Sequence, residues 1–299
     1  LKNIQIKIKN IENNINIYEE ELSLEEGELM KSSQLEKPFR CIGLCSANTA
    51  GNEVTGTGSG GYEEFIAAEG KHIYMLDYHT GGVNYVYMGG GGVDLGHTGV
   101  VTCVLHDGKL IFSGSTDETI ISWETATETR ARVNTFIGHE GSIVSLAVEG
   151  KLLASGSSDS TLRLWDKHTA QQLRIVYGHS RSVLSIEIGP TWMLTGSTDT
   201  EVRVWKIGKT KRGSLAVDCQ YRLIGHEETV TCVRYGQIEV VSGDVKGRIF
   251  IWWMKTGEIL RRCHVHDGPV KCMQFDSLHI VSGGADYSVC ITDIATGEV

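Results

Sequence analysis

The sequence predicts an all-β fold, a β-propeller, and two observations predict it. The first is a recurrent Gly-His step: Gly96-His97, Gly138-His139, Gly178-His179 and Gly225-His226, with Val265-His266 in the fifth place, the histidines 42, 40, 47 and 40 residues apart. The second is a tryptophan that keeps step with them: Trp123, Trp165, Trp205 and Trp252 are spaced by 42, 40 and 47 residues. A period near forty residues, holding about four short strands, marks a propeller assembled from blades.

The unit from Gly138 to Asp166 shows why the strands form. Ser142–Val148, Lys151–Asp159 and Thr161–Asp166 each alternate apolar with small or polar residues, which is the period-two signature of a strand. Breaks at Glu149-Gly150 and at Ser157–Ser160 fold them back on one another as a meander. In such a meander His139, Ser155, Asp159 and Trp165 can meet. A buried indole N–H needs an acceptor, a hydroxyl passes the bond on, and an imidazole held by a carboxylate completes the chain.

The same set recurs as His97, Ser113, Asp117 and Trp123, and as His179, Thr195, Asp199 and Trp205, where threonine keeps the hydroxyl. The next unit retains His226, Ser242 and Trp252 but has Lys246 where the aspartate belongs; Asp244, two residues earlier, is a candidate substitute. The last retains His266, Ser282 and Asp286, with Thr292 for the tryptophan. These two blades are expected to be looser than the third and fourth.

In these landmarks the chain resembles the WD-repeat family over roughly residues 39–299. Trp165-Asp166 carries the dipeptide that names it; Trp123-Glu124, Trp205-Lys206 and Trp252-Trp253 keep only the Trp. The resemblance implies a propeller with six countable blades, and seven, the commonest number in the family, if the chain continues. It also implies a non-catalytic scaffold that holds protein or peptide partners on the narrow top face, around the central channel. Carried over by alignment, the partner-binding positions are Thr116, Ser158, Thr198, Val245 and Ala285; Val100, Ser142, Ser182, Thr229 and Pro269; and Thr102, Val144, Leu184, Thr231 and Lys271. They are mostly small and hydroxylic, which suits a peptide better than a polyanion.

Residues 1–38 form a separate segment, expected to be helical or coiled-coil. Leu1, Ile4, Ile8, Ile11, Ile15, Tyr18, Leu22 and Leu29 follow steps of three and four, with Glu25 breaking the stripe. Such a helix is marginal alone and seeks a partner, so self-association or tethering is expected here. The alternative is a disordered leader or a strand, since Ile4-Ile6-Ile8 and Ile15-Ile17 alternate at period two.

From Phe39 to Tyr87 a degenerate first blade is expected, with strands at Arg40–Cys45, Phe65–Ala68, His72–Asp77 and Val83–Tyr87. Leu76-Asp77 stands in the Trp-Asp place, and Ile66 and Gly70 in the places of Ser and Asp, so the polar set is absent. Ala47–Gly61 reads as a long loop. In the fourth blade an insertion between Trp205 and His226 holds Lys206, Lys209, Lys211 and Arg212, read as a basic loop at the bottom. It is either a solvated tip or a contact for an acidic partner or RNA.

Composition narrows the function. A net charge of −9 disfavours a general nucleic-acid binder, which is usually basic. No apolar run reaches membrane-spanning length. Cys103, Cys232 and Cys272 each lie six residues after a repeat His, where Ser145 and Ser185 stand in sister units. They read as reduced interior thiols of an intracellular, cytoplasmic protein. Repetition of the His/Ser/Asp set around a ring points to a structural network rather than a catalytic triad. Cys263, His264 and His266 lack a further ligand pair for zinc, and no cofactor motif is present. Besides a scaffold or adaptor, the readings left open are a ubiquitin-ligase substrate receptor, a structural subunit of a ciliary or ribonucleoprotein assembly, and the regulatory domain of a longer enzyme.

Overall fold

A computed structural model describes residues 41–44, 64–77, 82–87, 96–125, 132–211, 213–236, 239–276 and 278–299. The helix expected over residues 1–38 lies outside them, as do the loop expected over Ala47–Gly61 and Arg212.

Six antiparallel meanders follow one another. The first holds β1 (Cys41–Leu44), β2 (Glu64–Glu69), β3 (His72–Asp77) and β4 (Val83–Tyr87); the second holds β5 (Val101–His106), β6 (Leu110–Ser115), β7 (Ile120–Glu124) and β8 (Arg132–Phe136). The third holds β9 (Ile143–Glu149), β10 (Leu152–Ser157), β11 (Leu162–Asp166) and β12 (Gln172–Val176); the fourth holds β13 (Val183–Ile188), β14 (Trp192–Ser197), β15 (Val202–Lys209) and β16 (Leu215–Leu223). The fifth holds β17 (Val230–Tyr235), β18 (Glu239–Asp244), β19 (Arg248–Trp253) and β20 (Ile259–His264), and the sixth holds β21 (Val270–Phe275), β22 (His279–Gly284) and β23 (Val289–Asp293). The first strands β1, β5, β9, β13, β17 and β21 pack one against the next in that order, an arrangement consistent with a propeller.

Packing between blades explains the small residues of each second strand. A Cβ added at Gly114, Gly156, Gly196 or Gly243 would lie 2.5, 2.9, 2.8 or 2.9 Å from Ile143, Val183, Val230 or Val270, the residue that opens the next blade's first strand. Glycine therefore sets how closely consecutive sheets approach. The second strands are buried almost throughout, whereas the fourth strands are exposed except near their ends. A bulge precedes each tryptophan, between Ser122/Trp123, Leu164/Trp165, Val204/Trp205 and Ile251/Trp252, and re-aims its indole.

The first blade carries the same bulge at Met75/Leu76, so Leu76 does occupy the tryptophan's place. Its register corrects one expectation. Leu76 pairs with Phe65 as Trp123 pairs with Ile111, which puts Ala67, not Ile66, at the position of Ser113. The β2–β3 turn is one residue shorter, with Gly70 at φ +56°, and holds no aspartate.

The basic insertion is a second correction. Lys206 and Lys209 belong to β15, which stays paired with β16 as far as Lys209 opposite Leu215. Ile207 and Val217 turn inward, 5% and 9% exposed, and join the core around Ile188 and Met193. Burying those side chains drives strand extension where a loop was expected. Lys206, Lys209 and Lys211 remain exposed.

Candidate functional site

The four-residue set closes in each of the blades that carry it. In the third, Trp165 Nε1 donates to Ser155 Oγ at 2.9 Å. With Nδ1 protonated, His139 donates to Asp159 Oδ2 at 2.7 Å and accepts from Ser155 Oγ at Nε2, 2.8 Å away. The second blade repeats this with Trp123, Ser113, His97 and Asp117, and the fourth with Trp205, Thr195, His179 and Asp199. Each serine or threonine of the set is fully buried, its hydroxyl turned to an indole rather than to a surface where a substrate would sit.

The fifth blade settles the role of Asp244. Its carboxylate lies 2.9 Å from His226 Nδ1, is completely buried, and takes a further bond from Arg248 Nε at 2.8 Å, while Arg248 also reaches Glu227. The acid has moved from the turn into the last position of β18, held in other blades by Ser115, Ser157 and Ser197. In the sixth blade His266, Ser282 and Asp286 connect, but Thr292 is buried with Oγ1 unpartnered where the indole would be. At the end of β22 stands Gly284, where a Cβ would lie 2.4 Å from His266 Nδ1.

Sequence reasoning missed a fifth member. Thr119, Thr161 and Ser288 donate from their hydroxyls to Asp117, Asp159 and Asp286 at 2.6, 2.7 and 2.7 Å. The signal was available: a hydroxyl residue lies two positions after the aspartate in three blades. The turn backbone also serves the carboxylate, as when Glu140 N donates to Asp159.

These bonds govern ionisation. Burial raises the carboxyl of Asp117, but hydrogen bonds from His97 and Thr119 outweigh it and hold the group well below the usual range; Asp159 and Asp199 behave alike through His139 and His179. Asp286 is lowered to about 2, its burial outweighed by bonds from Ser288 and Asp267 N. His226 is lowered below 6.5 because burial disfavours its cation. A lowered histidine binds fewer protons folded than unfolded, so its stabilisation erodes as pH falls below about 6.5; lowered aspartates add their loss below about 3.8 and downward. Thermal melts from pH 8 to 2 should therefore fall in two stages, slightly below about 6.5 and steeply below about 4. A melting temperature flat down to pH 3 would contradict this linkage.

Residues expected on the top face, of which Thr116, Ser158 and Ala285 are exposed and the others half-buried, are brought together in pairs. The backbone N–H of Thr116, Ser158, Thr198, Val245 and Ala285 donates to the carbonyl of Val100, Ser142, Ser182, Thr229 and Pro269, at 2.9, 2.9, 3.0, 3.1 and 2.9 Å. Each turn is thus locked to the entry of its own first strand. Thr102 and Thr231 sit differently. Each hydroxyl is shared between its own blade and the next, with Gly114 O and Ile143 O for Thr102 and with Gly243 O and Val270 O for Thr231. They tie blades together, a contact that sequence position does not reveal. Lys271, in the equivalent place on β21, is exposed.

The family model for the WD domain, G-beta repeat, matches five times, at residues 92–124, 130–166, 170–206, 217–252 and 257–293. The chain belongs to the WD40 repeat family. Among solved structures, a crystal structure of the computationally designed Ika8 protein is similar, with TM-score 0.68 and 26% identity, covering 88% of this chain and 74% of that one. No curated protein matches significantly. WD40 repeats act in general as non-catalytic scaffolds that bind protein partners.

The remaining chemistry is that of an interior. Cys103, Cys219, Cys232, Cys263, Cys272 and Cys290 are free thiols. Cys232 is buried and Cys103 and Cys272 half-buried; burial pushes Cys103 up to about 12 and Cys232 to about 11. Cys263 is buried and His264 exposed. No group of three or more His, Cys, Asp or Glu that could hold a metal, and no helix long and apolar enough to cross a membrane, occurs among the described residues.

Proposed function

We propose that this WD40 protein is a cytoplasmic adaptor. The propeller holds one protein partner on its top face, and residues 1–38 oligomerise or tether it. One observation carries the reading: the buried His–Ser–Asp–Trp sets are closed on themselves, and what they leave outside is a series of backbone-locked turns bearing Thr116, Ser158 and Thr198 beside Ser142 and Ser182. Rigid, small, hydroxylic turns offer a preorganised surface to a peptide or protein. Thr229 and Lys271 extend it into the fifth and sixth blades.

Arginine at Thr116, Ser158 and Thr198 together should release the proteins that co-purify with the chain, whereas Lys206, Lys209 and Lys211 changed to serine should not. Release by the second set alone would move the partner to the opposite end. Separately, removing residues 1–38 should leave the thermal transition in place and lower the mass seen by light scattering. An unchanged mass would end the oligomerisation proposal.

A further inference from the structure

We infer that the outer rim of the third blade is a second docking site, which takes an acidic side chain of a partner protein onto Arg163. This rests on the scaffold reading above only in that the partner is a protein. Arg163 is 8% exposed. Its one side-chain hydrogen bond among the described residues goes from Nη1 to Gln172 Oε1, a neutral amide, and its Nε is buried with no partner.

The fourth blade shows what such a site accepts. Arg203 stands in the equivalent place: a Cβ at Gly178 would lie 2.5 Å from Arg203 Nη1, and one at Gly138 would lie 2.6 Å from Arg163 Nη1. Glu201, two residues before Arg203, takes its Nε at 3.0 Å and its Nη2 at 2.8 Å, and pairs with Arg222 as well. Two residues before Arg163 stands Thr161, whose hydroxyl is committed to Asp159. Arg163 thus keeps its twin's position without its twin's counter-ion. A buried cation with no anion is costly, and in a native structure such a group calls for an ion or ligand.

The surroundings identify the class of ligand. A carboxylate matches the guanidinium fork, as Glu201 does next door. Ile137, which precedes Gly138, is 75% exposed. Tyr177, the first residue after β12, is 72% exposed, and Ile175 on that strand is the register partner of Arg163. Apolar side chains beside the cation favour a protein segment, with an acid between apolar residues, over a free anion. Arg174, exposed on β12, adds positive charge.

The test is a random peptide library panned on the full chain, with Thr161→Glu for counter-selection. Thr161→Glu places a carboxylate where Glu201 sits, and the fourth blade shows that glutamate there leaves the His179–Asp199 bond intact. Peptides with one Asp or Glu flanked by apolar residues should be enriched. They should bind at least about tenfold more weakly to Thr161→Glu and to Arg163→Gln, as expected for loss of a charge-assisted bond. Thr161→Glu should melt no lower than the wild type, so that variant is decisive even if Arg163→Gln misfolds. A neutral or basic consensus, or equal binding to Thr161→Glu, would overturn the inference. So would stabilisation by acetate or inorganic phosphate with no peptide enriched, which would assign Arg163 to a free anion. Either negative result would leave the top-face experiment standing, since that surface does not include Arg163.

Discussion

Replacing Trp165 by alanine is expected to lower stability by about 3–5 kcal/mol, the range for truncating a buried aromatic. Trp165 is 1% exposed and packs edge-on against Phe136 of the preceding blade, with ring centroids 5.7 Å apart. The substitution opens a cavity across that junction and removes the donor to Ser155 Oγ, which continues to His139 and Asp159. Ser158→Ala, in the adjoining exposed turn, should change stability by no more than about 0.5 kcal/mol. Urea denaturation of the two variants decides the matter. Equal losses would mean that the indole is not the core of the blade.

Replacing Asp244 by alanine should cost about 3–5 kcal/mol, because it leaves the buried His226 without its carboxylate and the half-buried Arg248 without one of its two acids. His226 loses its Nδ1 acceptor, and Arg248 keeps only Glu227, which is largely exposed. The double substitution Asp244→Ser with Lys246→Asp should recover much of the loss, since it recreates the serine-then-aspartate arrangement of Ser157 and Asp159. His226 would then take its carboxylate from the turn, as His139 does. If the double variant were as unstable as Asp244→Ala, the acid's exact seat, rather than its charge, would matter most.

Much of this site was legible before folding. Gly-His, hydroxyl, aspartate and tryptophan recur at fixed offsets, and a structural network needs those offsets in every blade. The limits of the degenerate blade's strands could be read to within a residue, because period-two alternation survives the loss of the polar set. Where reading failed, a register or a neighbour decided. Ala67 replaced Ile66 because one turn shortened by a residue, which no local pattern announces. The lysines from 206 to 211 looked like a loop because their charge drew attention from Ile207 and Val217, which turn the segment into paired strand.

Read alone, the chain specifies a repeating all-β meander and the internal rivets of each blade, because both arise from contacts within about forty residues. Contacts between blades, and pairings within a blade that depart from the repeat, appear only on folding. That Thr102 and Thr231 clamp the next blade, that Asp244 reaches His226 from a strand end, and that Arg163 lacks the acid its twin enjoys all depend on residues set side by side in space. Side-chain pairing is decided by distance in the fold, and a linear pattern records only distance along the chain.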